Sequence, residues 1–138
     1  MEPTCDVKEY TFFVNDVFRL PMPERLRRSD VEVFLFREVQ TLQYWEEQDP
    51  RDLGFSPWGW VRQELRIAEW NLEQWYDLFR DLRLFFYAHP SASTGLPSIH
   101  LLAVQEDGEN FRRHHMDVLI ERRGAVLALI EESDKPPP

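Results

Sequence analysis

The sequence predicts an α+β domain. In it, an antiparallel sheet of about five strands, ordered ββ-α-βββ, carries one long amphipathic helix packed across it. Three observations lead there. The stretch from Pro57 to about Tyr87 is strongly periodic and holds four of the five tryptophans. Two runs rich in β-formers precede it, and three apolar runs separated by turn residues follow it.

The first run is Tyr10 to Leu20, with Phe12, Phe13, Val14, Val17 and Phe18, read as a strand bulged near Asn15-Asp16. Pro21 and Pro23 end it, and a locally basic link with Arg25, Arg27 and Arg28 follows. Val31 to Leu42 reads as the second strand of a hairpin. Val31, Val33, Leu35 and Val39 point one way, and Glu32, Phe34, Phe36 and Glu38 the other. An acidic loop opens on Tyr44-Trp45 and continues through Glu46, Glu47, Asp49 and Asp52.

Ser56-Pro57 is a helix start signal, because serine caps free N–H groups and proline gives up no helical bond at the first position. Val61, Leu65, Ala68, Leu72, Trp75, Phe79, Leu82 and Phe86 then recur in steps of three and four. Ala88-His89-Pro90 is the stop, since the residue before proline is pushed out of the α region. Such a helix is a rod of roughly 46 Å, long against a radius of gyration of about 14 Å for a domain of this size. It therefore spans the domain, projects from it, or breaks, and Trp70-Asn71 is the place for a break. Trp60, Ile67, Trp70, Leu78 and Phe85 form a second apolar patch, read as a wide core contact or a partner surface.

Beyond a loop of small residues, Ser98 to Gln105 reads as a strand and Asp107-Gly108 as a hairpin turn. Phe111 to Glu121 is the return strand, with a helix as the alternative because Phe111, His115, Val118 and Arg122 also match helical spacing. Arg123-Gly124 makes the next turn, and Ala125 to Ile130 is an apolar run suited to a strand buried on both faces. Residues 1–133 are expected to form a single domain, and the proline-rich tail at 134–138 to be disordered.

A formal net charge of −9 over 138 residues argues against a general nucleic-acid binder. It suits a protein that meets a basic partner. Cys5 is the only cysteine, so no internal disulfide is expected. There is no signal-peptide pattern and no apolar run of about 18 residues, which makes the cytoplasm the expected location and excludes a membrane partner.

Within the predicted helix, Glu69, Glu73, Asp77 and Asp81 follow at i, i+4 spacing. That arrangement is mildly repulsive and opposes the helix dipole. An acidic ridge that helix physics disfavours points to a basic partner; a solvated face balanced by Arg80 and Arg83 explains it as well. Trp45, Trp58 and Trp60 cluster around the helix entry beside the acidic loop, as hot-spot residues or as core. On a helix Trp58 and Trp60 cannot both face the sheet.

Catalytic patterns are sparse. His114 and His115 would point to opposite faces of a strand, and no His/Cys/Asp spacing matches a known ligand set, so neither metal nor cofactor is expected. His89 and His100 flank the small-residue loop and are placed to approach each other. His115 and Asp117 would share a strand face and support a general base, although an arginine salt bridge to Asp117 is the plainer reading. Ser91, Ser93 and Thr94 lack a Gly-x-Ser-x-Gly frame.

The expected function is a non-enzymatic, inhibitor-like, acidic protein-binding module that docks a basic partner surface. It would use Glu69, Glu73, Asp77, Asp81, Trp45, Glu46, Glu47, Asp49, Trp58 and Trp60. The alternative is a small-molecule-binding or enzymatic domain with a pocket between helix and sheet, rimmed by His100, His115 and Asp117. A structural subunit of a larger assembly is the second alternative. The apolar second face leaves homo-oligomers open.

Overall fold

A computed structural model describes residues 2–20, 27–45, 58–72, 82–90, 96–106 and 113–134, with the side chains at 34, 106, 113–115 and 134 excepted. The described chain is α+β. Strand β1 (Asp6–Lys8) leads into helices α1 (Thr11–Arg19) and α2 (Arg28–Gln40) and a 3₁₀ turn, Thr41–Tyr44. Strands β2 (Trp58–Arg62), β3 (Ile67–Asn71), β4 (Leu82–His89) and β5 (Ser98–Glu106) follow, and then helix α3 (Arg113–Asp134).

The strands form one sheet in the order β1-β5-β4-β3-β2. β2 to β5 are an antiparallel meander, and β1 adds to β5 in parallel, so the sheet is mixed. The register of β4 against β5 shifts at Phe85/Phe86, where Phe85 faces Ala103 and Phe86 faces Leu101. Leu102 is the extra residue, and this bulge lets Leu102 and Ala103 both serve the same core cluster.

Apolar residues fill both faces of the sheet. On one face Ala68, Leu84, Phe86, Ala88, Ile99 and Leu101 pack with Phe13 and Val17 of α1 and Val31, Leu35 and Val39 of α2. On the other, Ile67, Phe85, Tyr87 and Ala103 pack with Leu119 and Val126 of α3. Arg122 and Arg123 dock α3 further, donating to the carbonyls of Leu102 (2.8 Å) and Leu65 (2.6 Å).

The single long helix is overturned. Its described part is β2, a short 3₁₀ turn, β3 and β4. Central strands buried on both faces show no clean alternation, so a run such as Leu82–His89 fits a helical template by chance. The break expected at Trp70-Asn71 coincides with the end of β3.

Both early strands are helices instead. Phe13 and Val17 on α1, and Leu20 at its C-cap, repeat at helical steps and are buried. Val31, Leu35, Val39 and Leu42 do so from α2 into the 3₁₀ turn, while Val33 is 58% exposed. Burial of these stripes overrides the β-propensity of the residues between them.

The return strand from Phe111 and the strand Ala125 to Ile130 are also corrected. From Arg113 they are one helix, which passes through Arg123-Gly124 without a turn. Ser98 to Gln105 is a strand, as expected. β1, inside the expected lead-in, carries no sequence signal strong enough to mark three residues. The Asp107-Gly108 turn and residues 135–138 lie outside the described residues.

Candidate functional site

Two side-chain clusters stand out, one on each face of the sheet. The first is aromatic. Trp58 and Trp60 are two apart on β2, so a strand turns both to one face, which the expected helix would have forbidden. Their rings meet edge to face at 5.3 Å and 89°. Trp45 closes the 3₁₀ turn and packs edge-on against Trp58 (5.1 Å), Trp60 (6.2 Å) and Phe86 (5.8 Å).

The N-terminal segment pins Trp45. Its carbonyl accepts from Thr4 Oγ1 at 2.8 Å and Cys5 Sγ at 3.2 Å. Trp70, the cross-strand neighbour of Trp58, completes an open groove of about 140 Å³ lined by Thr41, Leu42, Tyr44, Trp45, Trp58 and Trp70. Among the described residues no charged side chain lines it. At the back of the cluster the Arg66 guanidinium lies 5.6 Å over the Trp60 ring.

The structure thus brings Trp45, Trp58 and Trp60 together. Trp70 and Tyr44 were missed as site residues. The helical spacing puts Trp70 on a second face, and only the strand register places it opposite Trp58. Glu69 is on β3, where it is ion-paired with Arg83 at 3.0 Å and half-buried. It is therefore not part of a free helical ridge. Glu73, Asp77, Asp81, Glu46, Glu47 and Asp49 lie outside the described residues.

The second cluster surrounds His100, which is 3% exposed. Tyr10, the N-cap of α1, places its hydroxyl 2.7 Å from Nδ1, and Ser98 Oγ lies 2.7 Å from Nε2. Tyr87 stacks on His100 at 5.8 Å, and its hydroxyl pairs with Nδ1 of His89 at 2.8 Å. The His89 ring stands edge-on to His100 at 6.2 Å, so the expected approach of these two histidines occurs. Arg123 lies 4.9 Å over Tyr87.

Burial, His89 and Lys8 push the His100 pKa down to about 4. Burial raises the pKa of Tyr10 and of Tyr87, and Arg123 and Arg66 oppose the shift at Tyr87. Ser98, His100 and Tyr10 have the spacing of a hydroxyl set against a base and the group that orients it. A general base works best with a pKa near the working pH. At about 4, His100 is neutral near pH 7 but weak as a base.

Of the remaining pocket residues, Asp117 does not join His100. Asp117 is exposed on α3, and residues 115 and 117 of a helix do not share a face, which removes the expected His115–Asp117 pairing. The His115 side chain lies outside the described ones. Tyr10, Tyr87 and Ser98 were missed. The i, i+2 spacings Tyr87–His89 and Ser98–His100 on two strands were the available signal.

Among the described residues no group of three His, Cys, Asp or Glu side chains is placed to hold a metal ion. Among the described residues no helix is long and apolar enough to cross a membrane. No protein-family model matches the chain, and neither a curated protein nor a solved structure matches it significantly.

Proposed function

We propose that this chain is a non-enzymatic protein-binding module that docks a basic partner surface through its tryptophan-lined groove. The observation that carries the reading is the groove itself. Four large aromatic rings, from Tyr44, Trp45, Trp58 and Trp70, wall a single open concavity. Tryptophan and tyrosine dominate interface hot spots because each brings a large rigid apolar area with a polar tip. The net charge of −9 supports a basic partner by long-range attraction. Glu46, Glu47 and Asp49 lie within four residues of Trp45 in sequence and add to the acidic character that suits such a partner.

The test is a pull-down from a lysate of the native source with wild-type chain, Trp70→Ala and Glu46→Lys/Glu47→Lys, each checked for fold by circular dichroism. We expect one stoichiometric partner with a basic surface to be retained by the wild type and lost from both variants. A partner indifferent to both, or one with an acidic face, would overturn the reading.

The Ser98–His100–Tyr10 chain favours a second reading, an enzymatic or ligand-binding domain with its site between sheet and α3. It ranks below the first because His100 is a weak base at neutral pH. A serine-directed covalent probe that labels Ser98 in the wild type but not in His100→Gln would reverse the order.

A further inference from the structure

We infer that the outer face of α3 is a second docking surface, and that it takes an amphipathic helix of another protein with Lys or Arg at both ends of a small-residue apolar centre. The surface is independent of the tryptophan-lined groove. Leu42 and Trp45 of the groove belong to the core cluster on one face of the sheet, and α3 packs on the other.

The helix is apolar on more than one side. Leu119 and Val126 are buried against the sheet, with Leu127 and Ile130 packed beside them. Ile120 is nonetheless 37% exposed and Leu129 51% exposed, and Gly124, Ala125 and Ala128 between them are exposed too. Apolar residues outside the core stripe of a surface helix add nothing to the core. Grouped, they mark an interaction site.

Helix geometry gives the site a direction. Ile120 and Leu129 lie half the circumference apart and roughly 13 Å apart along the axis. On a cylinder of about 5 Å radius, the line joining them leans about 50° from the axis, in the sense of the i±4 ridges, and passes between Gly124 and Ala125. Interdigitated i±4 ridges set a second helix at that same angle, near 50°. The small residues then sit at the point of closest approach, with Ile120 and Leu129 at the two ends of the contact.

Gly124 supports the crossing. A Cβ at this position would meet nothing within 4 Å among the described residues, so the packing of the chain does not call for glycine. Glycine also weakens a helix interior. What its missing Cβ does allow is the close approach of another backbone.

Charge selects the helix that fits. Asp117 and Glu121 precede the crossing and Glu131 and Glu132 follow it, all exposed. None of the ion pairs among the described residues engages them. Carboxylates at both ends suit a helix that is basic at both ends. A second copy of this chain fails that condition. In either direction its own carboxylates would meet these, at a net charge of −9 per chain.

The experiment selects binders of the full chain from a display library of single-helix peptides. Their centres are built of Ala, Gly and Leu, and their end positions are randomised over Lys, Arg, Glu, Gln and Ser. We expect Lys or Arg to be enriched at both ends. The selected peptide should shift the amides of residues 117–132 saturably in ¹⁵N-labelled chain. Gly124→Gln places its side chain in open space, so it should melt no lower than the wild type, yet bind the peptide about ten-fold or more weakly. Glu121→Lys/Glu132→Lys should weaken binding about ten-fold as well.

No enrichment, neutral or acidic ends in the selected peptides, shifts centred on the groove, or binding that Gly124→Gln leaves unchanged would overturn the inference. So would a wild-type dimer in sedimentation that Gly124→Gln disperses, because the occupant would then be a second copy.

Discussion

The Tyr10 hydroxyl lies 2.7 Å from Nδ1 of His100, joining the N-cap of α1 to the interior of β5 across 90 residues of chain. With Ser98 on Nε2, both ring nitrogens of a buried imidazole are satisfied in its neutral form. The cation would need both hydroxyls as acceptors, and it loses its hydration in the buried site.

That has a consequence for acid stability. The folded pKa of about 4 lies below the ordinary 6.5, so protonation favours the unfolded chain. The contribution of His100 is complete above about pH 6.5 and falls as the pH drops, by roughly 3 kcal/mol on reaching pH 4. Urea denaturation between pH 7 and 4 is expected to show His100→Gln less stable than the wild type at pH 7, with the gap closing toward pH 4. A gap independent of pH would contradict the shift.

Asp16 of α1 and Arg122 of α3 form the pair that ties the two helices, at 2.6 and 3.4 Å, with side chains 13% and 19% exposed. Arg122 also donates to the Leu102 carbonyl and lies over Phe12. Removing one partner leaves a mostly buried charge, so Asp16→Ala should cost about 2 kcal/mol, more than an exposed pair would. A double-mutant cycle with Arg122→Met should recover much of that as coupling energy. Additive effects would place the pair among inert surface contacts.

Arg66 is the one described non-glycine residue with positive φ, at 57°, where it ends the 3₁₀ turn between β2 and β3. Its Nε donates to the Ala88 carbonyl at 2.6 Å, and its own carbonyl accepts from Ala88 N at 3.0 Å. Arg66→Ala loses the side-chain contacts and keeps the strained backbone. Arg66→Gly loses the same contacts but relieves the strain. Glycine should therefore be the more stable variant by about 1 kcal/mol in thermal denaturation. Equal stability would mean that the left-handed conformation is not retained.

Cys5 is 2% exposed, and burial raises its thiol pKa. Thiolate is the reactive species, so an aromatic disulfide reagent should react slowly with native chain and at once in denaturant. The native rate should rise in Thr4→Ala, which loses the hydroxyl bond to the Trp45 carbonyl (2.8 Å). Fast native labelling of the wild type would show the N-terminal segment undocked.

By itself the sequence determined the α+β class, the strand at Ser98, the nearness of Trp45, Trp58 and Trp60, and the approach of His89 to His100. Each rests on local chemistry: apolar runs bounded by turn residues, ring-rich segments, or two histidines that flank one short loop. It also carried the helical steps Val31, Leu35, Val39 and Leu42, which local β-propensity obscured. Tertiary structure alone decided that Pro57 to Tyr87 holds strands. Those strands lie between helices, their apolar residues fall on both faces, and period cannot then tell strand from helix. The register of β2 on β3 made Trp70 a wall of the groove, and the packing of α1 against the sheet brought Tyr10 to His100. Both depend on pairings between distant segments, which no window along the chain contains.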